Sequence, residues 1–213
     1  QANPMPLRYT APRFGSQVQY AKVEKTSPLS AESNYIQHVI VWKLLYYEGV
    51  VDTTMAHTIH DISLNTAKGT DATLDAVMYL LNYTHTNQDK EIIYQASNMV
   101  LHIDSDAAHL VAPQARRRAD GYQYLSNKNS LLFNGPVLVP AKVIKNVMTC
   151  ATEAELAALF MKAQEAVALH NFLQAMGFKQ PAMPIKTDNN TANVIINNAM
   201  KQKRAKAIDV WFY

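Results

Sequence analysis

The sequence predicts an α/β domain with a mixed sheet, preceded by a mostly helical segment. Up to about residue 90 the apolar residues recur at helical spacing, and after Asn87 short β-rich segments follow one another before a long helix. Consecutive strands followed by helix, strand and helix are typical of a mixed sheet. With 213 residues, 48% of them hydrophobic, the chain is long enough to bury a sizeable core. We place the helical part at 1–96 and the α/β part at 97–213.

The helical part begins after a proline-containing lead-in, residues 1–30, which the composition predicts to be extended. Ser30 is positioned to cap a first helix that ends around Gly49. A second helix is predicted over Thr53–Asn65 and a third over Asp71–Thr86, because each carries one apolar face.

Four strands are predicted before the long helix of the α/β part, and the first of them precedes residue 97. The elements, in order, are strands at Glu91–Gln95, Met99–Asp104, Gly121–Leu125 and Pro136–Val143, a helix at Thr152–Met176, a strand at Met183–Thr187, and helices at Asn190–Met200 and Arg204–Tyr213.

Composition and charge exclude several classes of protein. The single cysteine, Cys150, excludes an internal disulfide framework and a cysteine-rich zinc site. No apolar run reaches the roughly 18 residues of a membrane helix, and no signal peptide is visible, so no membrane partner is expected. Residues 1–100 carry seven Lys/Arg against nine Asp/Glu, whereas residues 101–213 carry thirteen against eight. This asymmetry favours a polyanionic partner for the second part, although a charge run is more often a solvated face. The candidate phosphate-contacting residues are Arg116, Arg117, Arg118, Lys203, Arg204 and Lys206.

Several carboxylates fall where predicted strands end or helices begin. Asp104 and Asp106 end the Met99–Asp104 strand, Glu155 lies in the first turn of the long helix, Asp188 follows an apolar strand, and Asp209 lies in the last helix. Each alone fits a helix cap or a helix-dipole partner. Together they are able to converge at one sheet edge, where hard oxygen ligands hold divalent cations. Such a cluster serves two-metal phosphodiester hydrolysis. Either Asp104 or Asp106 could be the first ligand.

Aromatic residues of the first helix offer a second possible nucleic-acid contact. Trp42 and the pair Tyr46-Tyr47 could stack on bases. Because they recur at helical spacing with Ile and Leu, we predict instead that they belong to the core.

Five motifs in the second part occur in the order found in one known family. They are Ser-Asp-Ala at 105–107, Arg-Arg-Arg-Ala-Asp-Gly-Tyr at 116–122, Thr-Glu-Ala-Glu-Leu-Ala-Ala at 152–158, Thr-Asp-Asn-Asn-Thr-Ala at 187–192 and Lys-Ala-Ile-Asp-Val-Trp-Phe at 206–212. With them the chain resembles the ribonuclease H domain of copia-type retrotransposon polyproteins. Ile36–Ser63 and Leu74–Tyr83 resemble the end of the reverse transcriptase that precedes it there, so the resemblance covers roughly residues 30–213.

This resemblance implies a ribonuclease H-like fold, a mixed sheet flanked by helices, after a helical reverse-transcriptase tail. It implies that Asp106, Glu155, Asp188 and Asp209 hold two Mg²⁺ ions, with Mn²⁺ as a substitute. It selects Asp106 over Asp104, because the numbers of residues that separate Asp106 from Arg116 and Gly121 are those found in the family.

The implied activity is endonucleolytic hydrolysis of the RNA strand of an RNA–DNA hybrid, which leaves a 3′-hydroxyl and a 5′-phosphate. The implied partners are that hybrid and the upstream reverse transcriptase, in an intracellular, cytoplasmic retroelement particle. The alternatives are a non-catalytic nucleic-acid-binding remnant and another nuclease of this fold that acts on DNA.

Three departures from the family pattern bear on these expectations. Ala108-His109 stand where the family has an acidic residue and Trp, and Ala207 stands where His is common. The sequence also ends at Tyr213, before the family's final helix is complete, so we expect a truncated domain in which the hold on Asp209 is weakened.

Overall fold

A computed structural model describes residues 4–8, 26–112, 116–129, 133–145, 148 and 150–197, with only the backbone described for 108–112, 116 and 117. Two compact units divide the described chain, one of them ending at Ile92 and the other beginning at Ile93. Among the described residues no helix is both long and apolar enough to cross a membrane.

In its described residues the first unit contains three α-helices, as the sequence predicts. They are α1 (Ala31–Val50), α2 (Ala56–Asn65), which follows a short 3-10 turn at Thr53–Met55, and α3 (Asp71–Thr86). Helix α1 begins where it does because the Ser30 hydroxyl accepts a hydrogen bond from the Ser33 backbone N–H at 3.1 Å.

The core of this unit is mainly apolar, and the buried Asp52 is a hydrogen-bonded polar anchor within it. Asp52 caps the 3-10 turn by accepting from the backbone N–H of Thr54 at 3.0 Å, and it also accepts from the Tyr83 hydroxyl at 2.9 Å. The anchor thereby ties α3 to the connection between α1 and α2. The surrounding core residues are Val41, Leu44, Met55, Ile59, Ile62, Val77, Leu80 and Tyr83.

The predicted burial of the α1 aromatic residues is wrong for two of the three. Trp42 and Tyr46 are exposed, while Tyr47 packs partly against the core. The buried face of α1 is formed instead by Gln37, Val41, Leu44 and Glu48.

The second unit is an α/β structure with a mixed sheet, as predicted. Its elements are β1 (Val100–Ala112), β2 (Arg116–Ser126), β3 (Pro136–Leu138), β4 (Ala141–Ile144), α4 (Ala151–Ala175), β5 (Ile185–Lys186) and α5 (Asn190–Ile196). Strands β1 and β2 form a long antiparallel pair, β3 and β4 share the outer edge of β2, and β5 lies parallel to β1 on its other edge.

Strands β1 and β2 are longer than the predicted Met99–Asp104 and Gly121–Leu125, and β5 is shorter than Met183–Thr187. The other two predicted strands are absent or divided for identifiable reasons. Glu91–Gln95 forms no strand. At its end the Asn134 side chain accepts from the Gln95 N–H at 2.7 Å and donates to the Gln95 carbonyl at 3.0 Å, so a side chain takes the bonds that a neighbouring strand would make. Pro136–Val143 is split into β3 and β4. Pro140, which has no N–H to donate, lies at the break, and its carbonyl accepts from the Gly121 N–H at 3.0 Å. The predicted helix over Arg204–Tyr213 lies outside the described residues.

Helix α4 packs across the inner face of the sheet through small side chains. Ala154 and Ala158 share one apolar cluster with Ala107 of β1, and further along Ala166 shares a second cluster with Ile103. Because alanine side chains are small, the backbones of helix and strand approach closely, so the first turns of α4 lie close to the later half of β1. This packing brings residues at the start of α4 to the strand that carries Asp106.

Gly121 lies where the buried Lys162 side chain of α4 crosses β2. The Lys162 ammonium donates to the Pro140 carbonyl at 2.9 Å and to Glu165 at 3.1 Å. The side chain is therefore fixed at its ammonium by these bonds and at its Cα by the helix. A Cβ at position 121 would stand 2.6 Å from Lys162 Cδ, closer than real atoms approach. We expect Gly121→Ala to lower the free energy of unfolding by about 1–3 kcal/mol, as overpacking does, measured by urea denaturation. In a Lys162→Ala background the same substitution should cost clearly less, and an equal cost in both backgrounds would exclude this contact as the cause.

Candidate metal centre

The site lies where strand β5 ends and leaves an edge of β1 open. The Ile103 N–H donates to the Pro184 carbonyl at 3.1 Å, and Asp104 pairs in register with Lys186. Strand β5 stops there, and within the described part of the chain no other strand continues along this edge of β1. Asp188 follows Lys186 by two residues, as Asp106 follows Asp104, which places both aspartates at the same level of the sheet.

The side chain of Glu155, on α4, bonds to the backbone of β1 at this open edge. Because the N–H of Ile103 points toward β5, the N–H of Ala107, four residues on, points the same way. It donates to Glu155 Oε1 at 3.3 Å, in place of a strand carbonyl. The Thr187 hydroxyl donates to Oε2 at 3.3 Å, so each oxygen of this carboxylate has a fixed donor.

Three carboxylates converge at this edge. Asp106, Glu155 and Asp188 each offer one oxygen, and these oxygens all lie within 4.8 Å of one another. Glu155 is 6% exposed, whereas the two aspartates are exposed. Carboxylate oxygens on a partly open site suit a hard divalent cation that keeps some of its waters. The triad Asp106, Glu155 and Asp188 could therefore hold a metal ion.

The electrostatics of the triad favour a bound cation. Burial raises the pKa of Glu155 to about 7, and the negative charges of Asp106 and Asp188 contribute to the rise. The hydrogen bonds from Ala107 and Thr187 act in the opposite direction but do not cancel it. A divalent ion would remove both the repulsion and the cost of burying this charge.

Metal affinity should consequently depend on pH. Below about pH 7 the proton on Glu155 competes with the cation, so we expect Mn²⁺ affinity to rise with pH and to level off above that pKa. Below the pKa a single competing proton changes the affinity about tenfold per pH unit. Isothermal titration at pH 6, 7 and 8, in buffers of different ionisation enthalpy, would measure both the affinity and the proton released. Equal affinity at all three pH values would contradict this account.

The structure places the two candidate strand aspartates differently from the prediction. Asp104 and Asp106 lie within β1 and not at its end, since the strand continues to Ala112. Asp106 joins the triad, whereas Asp104 lies beside Lys186 and is not part of it. Burial raises the pKa of Asp104, and the charges of Lys186 and His102 oppose the rise. Asp209, the fourth predicted ligand, lies outside the described residues.

The predicted phosphate-contacting residues are only partly described. Arg118 is 2% exposed, which does not fit a side chain that contacts nucleic-acid phosphates from solvent. It lies in β2, paired with Ala108 on one side and Val143 on the other. The side chains of Arg116 and Arg117 are not described, and Lys203, Arg204 and Lys206 lie outside the described part of the chain.

Sequence reasoning missed the two groups that fix Glu155. One is the Thr187 hydroxyl, which also accepts from the Asn189 N–H at 3.2 Å, and the other is the Ala107 backbone N–H. The threonine directly before Asp188 was a visible signal for the first. The second depends on where β5 ends, which the residue pattern does not reveal.

The comparisons with known proteins identify no relative. The chain matches no protein-family profile, no curated protein and no solved structure.

Proposed function

We propose that this chain is a metal-dependent nuclease of the ribonuclease H type, which hydrolyses the RNA strand of RNA–DNA hybrids. The observation that carries the proposal is the convergence of Asp106 from a central strand, Glu155 from the helix packed on it and Asp188 from the end of the next strand. These three residues belong to three of the five motifs on which the family resemblance rests.

The fold is consistent with this proposal. A long antiparallel pair with a short parallel strand beside β1, and one long helix across the inner face, form the mixed sheet with flanking helix that the resemblance implies. Strand order and helix packing together deliver three carboxylates to one edge, and the exposed aspartates leave that edge open on the solvent side.

The donor set fits Mg²⁺, with Mn²⁺ as a substitute. All three ligands are carboxylates, there is no sulfur or imidazole among them, and two of the three are exposed, which leaves room for water and for phosphate oxygens. Bound divalent ions would activate a water and stabilise the leaving oxygen of a phosphodiester. The carboxylates of Asp106 and Asp188 would hold the ions, while Glu155, fixed by Ala107 and Thr187, would set their position. With Asp209 as a further ligand, the site would take two ions.

The test is cleavage of a labelled RNA–DNA hybrid in Mg²⁺ by the full chain. We expect 5′-phosphate products, no product with chelator, and a loss of at least about 100-fold in rate for Asp188→Asn, which removes a ligand charge with little change of shape. Asp89→Asn, at an exposed position of the helical unit, is the matched control and should cleave at the normal rate.

Duplex DNA and duplex RNA are the comparison substrates. Preferential cleavage of duplex DNA would replace the proposal with a DNA nuclease of the same fold. A folded chain that binds the hybrid without cutting it in either metal would instead indicate a non-catalytic nucleic-acid-binding remnant.

A further inference from the structure

Helix α1 carries a narrow aromatic stripe on the side away from its own core. Tyr35, Trp42 and Tyr46 are 70%, 73% and 75% exposed, and Val39 lies between the first two. These four residues, named here the α1 stripe, are separated by four, three and four positions. At 100° per residue they fall within about 60° of arc, opposite Gln37, Leu44 and Glu48 on the buried face.

The spacing of the α1 stripe is that of a helix-pairing seam. Apolar residues that alternate between intervals of four and three keep one line of the helix facing a partner helix. The buried face of α1 already supplies the contacts to α2 and α3. The stripe is thus a second apolar line on one helix, and the helical unit's own core does not use it.

The charge around the stripe argues for a protein partner and against nucleic acid. In α1 the charged residues are Glu32, Lys43 and the buried Glu48, with a single basic side chain among them. A surface that binds a nucleic-acid backbone without sequence preference combines aromatic side chains with several cations. The near-neutral stripe is compatible with a copy of itself, since two such surfaces bring no unbalanced charge together.

The area of the stripe sets the expected strength of such a pairing. Aromatic side chains bury about 150–250 Å² each, so three rings about three-quarters exposed supply on the order of 400 Å² per copy. With Val39 and the exposed flanking residues Ile36 and Val50, two copies would bury about 1,000 Å² in total, the lower end of specific interfaces.

We propose that the α1 stripe is the contact of a reversible homodimer, in which α1 pairs with α1 of a second copy in antiparallel orientation. In a twofold-symmetric antiparallel pair centred between Val39 and Trp42, Val39 of one copy faces Trp42 of the other, and Tyr35 faces Tyr46. The small valine leaves room for the large indole at the centre, and the tyrosines close both ends. The proposal rests on the helical unit alone and is independent of the nuclease activity.

The experiment is sedimentation velocity of the full chain over the micromolar range. We expect a concentration-dependent monomer–dimer equilibrium with a dissociation constant on the order of 10 μM, as suits an interface of this size. Trp42→Glu and Tyr46→Glu should each abolish the dimer, with helical content unchanged by circular dichroism. Met78→Glu, at an exposed apolar position of α3, is the matched control and should leave the equilibrium unchanged.

A pair of steric variants tests the arrangement within the seam. Val39→Trp should weaken the dimer, because each of the two central Val39–Trp42 contacts becomes a contact between two indoles. The exchange of both residues, Val39→Trp with Trp42→Val, should restore it. A second readout is acrylamide quenching of Trp42 in a Trp211→Phe background, which should decrease as the dimer forms.

Three outcomes would overturn the proposal. One is a monomer at all concentrations whose Trp42 stays fully quenchable. Another is a monomer whose Trp42 is shielded, since another part of the same chain would then cover the stripe. The third is a monomer whose Trp42 becomes shielded only when an RNA–DNA hybrid is added, which would make nucleic acid the occupant.

Discussion

Glu155→Gln is expected to weaken divalent-cation binding strongly and, with it, to abolish hybrid cleavage. Glu155 is the buried member of the triad and the one whose two oxygens are fixed by Ala107 and Thr187, so it sets the position of any bound ion. Glutamine keeps the shape but removes the charge that compensates the cation. We expect Mn²⁺ affinity to fall by at least about 100-fold, measured by isothermal titration, and cleavage to be undetectable.

The same variant should be more stable than the natural chain when no metal is present. The pKa of Glu155 is raised to about 7 in the folded state, so the folded chain holds its proton more tightly than the unfolded chain does. Stability therefore declines as pH rises from about 4.5 through 7, and glutamine does not show this decline. At pH 8 we expect a gain of up to about 2 kcal/mol, reduced by solvent screening from what the full shift would give. At pH 4 the gain should disappear.

Weaker metal binding together with higher stability without metal would distinguish a metal-binding role of Glu155 from a purely structural one. Loss of metal binding together with a higher melting temperature in chelator at pH 8 is the expected pair of results. Lower stability of Glu155→Gln at pH 8 would show that Glu155 serves mainly to hold α4 on β1, and would weaken the case for a metal centre.

Asp106→Asn and Asp104→Asn should differ sharply, although the two residues lie two positions apart on one strand. Asp106 contributes an oxygen to the triad, whereas Asp104 lies beside Lys186 and outside it. We expect Asp106→Asn to lower the cleavage rate by at least about 100-fold and to weaken Mn²⁺ binding. Asp104→Asn should retain both properties within a small factor.

The pair is matched in chemistry, strand and sheet face, so a general effect of removing a carboxylate from β1 would lower both. Equal losses in the two variants would contradict the assignment of Asp106 as the ligand. Loss in Asp104→Asn alone would mean that the first ligand is Asp104 and that the register of β1 against β5 differs from the one described.

The helices of the first unit could be predicted because their signals are local. Ser30 caps α1 through a bond to Ser33 three residues away, and the apolar positions of α2 and α3 repeat within a few turns. The exposure of Trp42 could not be predicted in this way. Periodicity shows that a helix has an apolar line, but α1 has two, and which of them packs on α2 and α3 is decided by the tertiary arrangement.

The α/β unit shows the same division between local and distant causes. The isoleucines of Glu91–Gln95 favour a strand, but the side chain of Asn134, some forty residues away, takes the two backbone hydrogen bonds of Gln95. The carboxylates of the site were predictable as residue types at helix starts and strand ends. The residue pattern alone left Asp104 and Asp106 as alternatives, and only the family resemblance selected Asp106. The structure places Asp106 in the triad and Asp104 outside it, because β5 pairs with Ile103 and Asp104 and then stops.

The shortness of β5 also has a consequence for how the site is held in place. Two residues pair with β1, so few backbone hydrogen bonds fix the alignment of the chain from 185 onward, and a slip of one residue would turn Asp188 toward the opposite face. An ion bound by both Asp106 and Asp188 would cross-link the two strands beyond their last backbone hydrogen bond. Ion binding would then stabilise the register of β5 against β1, and this register is what brings the carboxylates of the site together.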